Sequence, residues 1–228
     1  EQVLESSTVP LAARLNAACQ CIWVARAKLH GQLRANLGDA ASLLEAQAGL
    51  VAGSVVFLAP GEATAMDRTV RLITLALSSG PFLQQIARNA PELARRPQAN
   101  VGGILGFDFH LGGPTPQLIE INTNPGGLLV NLELARAATA ACDCFTEPVS
   151  VLAAAGVAIG QLEPRISDSF LAEWTSVRGE VPLRTIAIVD DEPQSQYLYP
   201  EFLLYQRLLE RAGWRVVIAD ATSLELRD

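Results

Sequence analysis

The sequence predicts a mixed α/β protein, rich in helices in its N-terminal part and ending in a β-α-β unit. Two patterns carry this prediction: two alternating segments around residues 102–123 that form a hairpin, and the order strand, amphipathic helix, strand over residues 184–219. With 228 residues, the chain can form one large domain or two small ones. We expect two, over residues 1–165 and 182–228.

Most of the remaining elements are predicted to be helices, because apolar residues recur at a spacing of three to four. The predicted helices cover residues 10–34, 39–50, 63–77, 82–90, 126–141 and 149–162. Residues 54–59 are expected to form a short buried strand that ends at Pro60-Gly61. Pro164 is expected to end the last of these helices.

The hairpin is predicted from alternation of apolar with polar or small residues on both sides of the turn-forming segment Gly112–Pro116. A symmetric hairpin centred on Pro114 fixes which residues face each other across the two strands. The predicted pairs are Asp108 with Glu120, Gly106 with Asn122, and His110 with Leu118.

The β-α-β unit is predicted from an apolar strand at residues 184–190, a helix at 197–212 and a second strand at 214–219. Gly213 is a typical helix stop between the helix and the second strand. Because one such unit cannot cover both faces of its sheet, we expect this domain to continue beyond residue 228.

Composition, charge and cysteine spacing limit the classes of function that this chain can have. Half of the residues are hydrophobic, and the net charge of −7 argues against a dedicated nucleic-acid surface. No apolar run is long enough to span a membrane, and no signal peptide is evident, so a cytoplasmic protein is expected. The four cysteines form two Cys-x-Cys pairs, Cys19/Cys21 and Cys142/Cys144. This spacing favours buried thiols, with a zinc site as the open alternative.

The hairpin also carries candidate chemistry. Glu120 and Asn122 point to the same face of their strand, and Asp108 faces Glu120. Facing carboxylates repel each other unless one is protonated or a cation lies nearby. Magnesium binds carboxylate and amide oxygens, so these residues form a candidate magnesium site; a solvated polar face is the alternative.

The residues after Asn122 turn the strand into a helix through Thr123-Asn-Pro-Gly-Gly127. Glycines let backbone N–H groups approach an anionic ligand, and the positive end of the following helix would assist. An ordinary strand-to-helix turn, which favours the same residue types, is the alternative.

The segment Glu120-Ile-Asn-Thr-Asn-Pro-Gly126 resembles the last catalytic strand of ATP-grasp ligases. The position of this motif before an α/β domain resembles the circularly permuted branch that includes eukaryotic glutathione synthetase and glutathionylspermidine synthetase. The resemblance implies that residues 1–165 hold part of an ATP-grasp catalytic subdomain and that residues 182–228 begin a Rossmann-like substrate domain. It also implies that the glycine-rich loop and the lysines that hold ATP follow residue 228, since Lys28 is the only lysine here.

The resemblance further implies an ATP- and Mg²⁺-dependent ligase that joins a small-molecule or peptide carboxylate to an amine through an acyl phosphate, with neither nucleic acid nor membrane as partner. A homodimer is one expected assembly. The implied sites are a catalytic Asp108, magnesium ligands Glu120 and Asn122, and substrate contacts Asn124, Gly126, Gly127 and Glu201.

Two other functions remain open from the sequence. The first is a non-catalytic α/β binding or scaffold module that keeps the hairpin for stability. The second is a receiver-like signalling domain, suggested by Asp190-Asp-Glu192 at the end of a strand. Acidic residues at such a position more commonly cap helices and turns.

Overall fold

The computed structural model describes residues 56–96, 99, 102–141 and 159–225, together with isolated positions between residues 10 and 50. Over these residues the protein is mixed α/β, with five α-helices of defined bounds and two two-stranded sheets. The chain divides into two compact units, one containing Val56–Pro125 and the other containing Gly126–Asp228. The four cysteines and most of the helices expected before residue 50 lie outside the described residues.

Helix α1 spans Pro60–Leu77 and helix α2 spans Gly80–Ala87, followed by a 3₁₀ turn at Glu92–Arg95. The predicted break between the two helices is present. Helix α1 begins three residues earlier than predicted, because proline fits the first helical position and Glu62 Oε2 accepts the Ala59 N–H at 2.7 Å.

The strand predicted over residues 54–59 is wrong where the structure describes it, because residues 56–59 belong to neither sheet. The backbone of Phe57 is paired instead with one side chain. Its N–H donates to Asn16 Oδ1 at 2.7 Å, and its carbonyl accepts from Asn16 Nδ2 at 2.9 Å. A side-chain amide therefore satisfies the backbone polar groups that a neighbouring strand was expected to satisfy.

Strands β1 (Gly106–His110) and β2 (Gln117–Asn122) form the predicted antiparallel hairpin. The predicted pairs nearest the candidate site are confirmed, Asp108 with Glu120 and Gly106 with Asn122. The predicted pairing of His110 with Leu118 is wrong. A bulge after the Asp108–Glu120 pair shifts the register, so that Phe109 pairs with Leu118 and His110 pairs with Gln117.

The second unit contains α3 (Leu128–Ala141), α4 (Leu162–Arg178), β3 (Thr185–Asp190), α5 (Tyr199–Arg211) and β4 (Arg215–Asp220). Strands β3 and β4 pair in parallel without interruption, which confirms the β-α-β unit. The expectation that Pro164 ends a helix is wrong: Pro164 lies in the first turn of α4, where a missing N–H leaves no helical bond unmade.

The buried core of this second unit lies between α5, α3, α4 and β4. The buried apolar side chains of these four elements include Leu129, Val130, Leu132, Ile166, Pro200, Leu204, Leu208, Leu209 and Val216. Leu209 of α5 and Val130 of α3 are each only 1% exposed. Among the described residues, no helix is long and apolar enough to cross a membrane.

Candidate functional site

The hairpin brings three oxygen-bearing side chains to one point, as the sequence predicts. Asp108 and Glu120 are cross-strand partners, and Asn122 lies two residues further along β2 on the same face. The Asn122 side-chain amide donates to Asp108 Oδ2 at 2.9 Å and to Glu120 Oε1 at 3.1 Å. The Asn122 amide therefore links the two carboxylates through one hydrogen bond to each.

The electrostatics of this cluster favour a positive group between the carboxylates. Asp108 and Glu120 are both exposed, and two like charges a few ångströms apart repel by roughly 1 kcal/mol in a water-like dielectric. The amide N–H₂ of Asn122, which is half-buried, supplies two donors at the position where a cation would lie. A metal ion at this position would offset more of the negative charge of the two carboxylates than the neutral amide does.

At Gly106, opposite Asn122, close packing leaves no space for a side chain. A Cβ at this position would lie 2.9 Å from Pro125 Cβ and 3.4 Å from Asn122 Cβ. The proline that follows the strand therefore packs directly on β1. Pro125 thus occupies the space that a side chain at position 106 would need.

The predicted substrate residues are divided between the two units. Asn124 is exposed and belongs to the hairpin's unit, whereas Gly126 and Gly127 begin the second unit. Gly127 has a φ of 85°, a left-handed conformation that favours glycine. Its carbonyl accepts the Asn131 N–H at 2.9 Å, so Gly127 stands directly at the start of α3.

Glu201 occupies a different environment from the one the resemblance implies. It is 2% exposed, and its two carboxylate oxygens accept the N–H groups of Leu129 at 2.8 Å and Val130 at 2.9 Å. Burial raises the pKa of this carboxyl, while the N–H groups of Leu129, Val130 and Leu128 act in the opposite direction. Glu201 thus caps the N-terminus of α3, which the sequence had reserved for an anionic ligand.

One sequence signal could have revealed this cap. Glu201 lies three residues before Leu204 and seven before Leu208, on the apolar stripe that α5 buries. A carboxylate on a buried stripe needs hydrogen-bond donors from a neighbouring element. The pattern thus indicates a buried carboxylate with a fixed partner.

A second charged cluster in the same unit escaped the sequence prediction. Arg136 of α3 lies 2.7 Å from Glu133 and 2.9 Å from Glu163 of α4, and Arg211 of α5 lies 3.2 Å from Glu163. Glu133, Glu163 and Arg211 line a small pocket together with apolar side chains of α3 and α5. Because Glu163 contacts arginines of both neighbouring helices, the cluster ties three helices together.

Asp220, the last residue of β4, caps the 3₁₀ turn Ala221–Ser223 that follows it. Asp220 accepts the Thr222 hydroxyl and N–H through one oxygen and the Glu192 N–H through the other. These bonds lower the pKa of Asp220, the Thr222 hydroxyl most of all. Capping was predicted for Asp190-Asp-Glu192 instead, and the Glu192 side chain makes no capping bond to the 3₁₀ turn Pro193–Ser195.

The chemistry of the cluster and comparisons with known proteins both bear on the identity of the site. Among the described residues, there is no group of three or more His, Cys, Asp or Glu side chains that could hold a metal ion. The hairpin cluster contains two carboxylates and one amide. Comparisons with known protein families, with curated proteins and with solved structures gave no significant match.

Proposed function

We propose that this chain is part of an ATP-dependent carboxylate–amine ligase of the ATP-grasp kind and that its hairpin cluster holds the magnesium ion of Mg·ATP. One observation carries the proposal: the facing carboxylates of Asp108 and Glu120 and the amide of Asn122 converge on a single exposed point. The sequence motif that places them there, Glu120-Ile-Asn-Thr-Asn-Pro-Gly126, resembles the magnesium-binding strand of that family.

The donor set fits magnesium. This ion prefers carboxylate and amide oxygens, keeps several waters, and is usually held by one or two protein carboxylates together with substrate phosphates. Rotation of the Asn122 amide by half a turn replaces its N–H₂ donors with Oδ1, a metal ligand. Two carboxylates and one amide oxygen would then face the same ion from a rigid pair of strands.

The proposed roles of the residues follow from their positions. Glu120 and Asn122 would hold the cation, and Asp108 would support the site by adding negative charge from the facing strand. A bound magnesium ion would offset negative charge on the phosphates of ATP as the terminal phosphoryl group is transferred. The ligase would join a small-molecule or peptide carboxylate to an amine, with loss of phosphate from the activated acyl group.

The second unit supports the same proposal through its topology. Parallel strands β3 and β4, joined by α5, form the β-α-β arrangement on which Rossmann-like domains are built. We assign this unit to the substrate domain that the permuted ATP-grasp order places after the motif. The Gly126-Gly127 turn is the segment through which the chain passes from the hairpin into this unit.

A non-catalytic α/β module is the second candidate, and one observation favours it. The Asn122 amide already satisfies both carboxylates, so the cluster is hydrogen-bonded without any ligand. Such a cluster could serve the hairpin alone. The two candidates differ in whether these side chains bind Mg·ATP.

Isothermal titration calorimetry with Mg·ATP tests the proposal on three forms of the full-length protein: the wild type, a Glu120→Gln/Asn122→Ala double variant and a Gln117→Ala control. The control changes an exposed residue of the same strand beyond the bulge. We expect the double variant to lose at least roughly tenfold in affinity, since even the partners of metal ligands are worth that much. The control should bind like the wild type.

The outcomes separate the candidates. Equal affinity of the double variant and the wild type would remove these residues from the nucleotide site. Absence of binding by the folded wild type would favour the non-catalytic module. The double variant should stay folded, because Glu120→Gln keeps the side-chain volume and removes a repulsive charge.

A further inference from the structure

The first turn of α3 is held by a side chain that is distant in sequence. The two carboxylate oxygens of Glu201 accept the backbone N–H groups of Leu129 and Val130. These residues lie 72 and 71 positions away from Glu201 in the sequence. The N–H groups at a helix N-terminus have no partner within the helix, and together they carry a partial positive charge. Glu201 therefore fills the anion position of this helix.

A second contact from the start of α5 reaches the turn that precedes α3. The Leu198 side chain packs directly against Gly126, in the space that a Cβ at this position would occupy. Leu198 directly precedes α5, and Glu201 lies in its first turn. The short segment Leu198–Glu201 thus contacts both the glycine turn and the beginning of α3.

We infer that Glu201 is a positioning residue that fixes the Gly126-Gly127 turn and the first turn of α3 by accepting two backbone N–H groups with its carboxyl oxygens. The inference rests on the proposed function only for the use of that turn next to the substrate. It assigns Glu201 a different task from direct substrate contact. It also implies that an anionic substrate group finds the N–H groups of Leu129 and Val130 already taken.

The carboxylate is suited to this task by both charge and length. Glutamine has the same length, but it would turn one of its two polar atoms into a donor that faces a backbone donor. Aspartate is one methylene shorter, so its oxygens would not span the same gap. A buried N–H that loses its acceptor is costly, so substitution should loosen the turn.

The first experiment compares amide hydrogen exchange in Glu201→Gln with a matched control, Glu210→Gln, which changes an exposed glutamate of the same helix. We expect exchange at Leu129 or Val130 to be faster by roughly tenfold or more in Glu201→Gln, and unchanged in the control. The amide resonances of Gly126 and Gly127 should shift only in Glu201→Gln. Identical exchange and resonances in the two variants would overturn the inference.

The second experiment uses the wild type, so it holds even if Glu201→Gln fails to fold. In an NMR titration towards acid pH, the amide protons of Leu129 and Val130 should move together with the carboxyl carbon of Glu201. Amide resonances that stay fixed while Glu201 titrates would overturn the inference. Neither experiment contains nucleotide, so failure of the proposed Mg·ATP site would leave both results unaffected.

Discussion

Replacement of Gly106 by alanine tests how tightly the hairpin cluster is built. The new Cβ would lie 2.9 Å from Pro125 Cβ and 3.4 Å from Asn122 Cβ. The proline ring cannot rotate away, so strands or turn must shift, at a typical overpacking cost of about 1–3 kcal/mol. The gain from a less flexible unfolded chain is only about 0.4–1 kcal/mol. We therefore expect the hairpin to lose about 1 kcal/mol of stability.

The matched control is Gly113→Ala in the turn of the same hairpin. Its Cβ would meet only an ordinary contact, 3.6 Å from the carbonyl oxygen of Thr115, so this variant should be neutral or slightly more stable. Native-state hydrogen exchange at the cross-strand amides measures the opening of the hairpin in each variant. Equal or greater protection in Gly106→Ala than in Gly113→Ala would refute the packing argument.

Two further predictions concern the second unit. Because burial raises the folded-state pKa of Glu201 above its unfolded value, the folded protein keeps this proton to higher pH. The associated stability is fully present below the usual glutamate pKa and is lost as pH rises through the raised pKa. Urea midpoints measured from about pH 4 upward should show this decline in the wild type and a flatter profile in Glu201→Gln; parallel profiles would contradict it. Leu209→Ala, at a side chain that is 1% exposed, should cost about 2–5 kcal/mol, whereas Leu224→Ala, at one that is 57% exposed, should cost little. Tryptophan fluorescence during urea unfolding compares the two, and equal midpoints would count against a core role for Leu209.

The parts of the fold that the sequence predicts well are those where local pattern and tertiary packing agree. The β-α-β unit follows from two apolar runs and an amphipathic helix, and the structure places it within a few residues of the predicted bounds. The site end of the hairpin also follows, because alternation fixes which side chains share a face. The pairing of Asp108 with Glu120 could therefore be stated in advance.

The errors arise where a single residue or a distant partner decides the outcome. Symmetry about Pro114 gives no sign of a bulge, so the pairing of His110 was misplaced. The pairing of Asn16 with Phe57 joins residues 41 positions apart, which no local pattern encodes. The cap that Glu201 provides has the same cause, since it depends on how α5 packs against α3.

The exposed carboxylates of the hairpin also bear on self-association. Within the described residues, β1 and β2 pair only with each other, so each has an outer edge of the kind that invites strand addition by another molecule. Asp108 and Glu120 place negative charge on a face that a stacked second hairpin would have to share, and the bulge breaks the even spacing of the β2 ladder. Two copies stacked face to face would bring four carboxylates together, so the acidic pair opposes stacking of one hairpin on another.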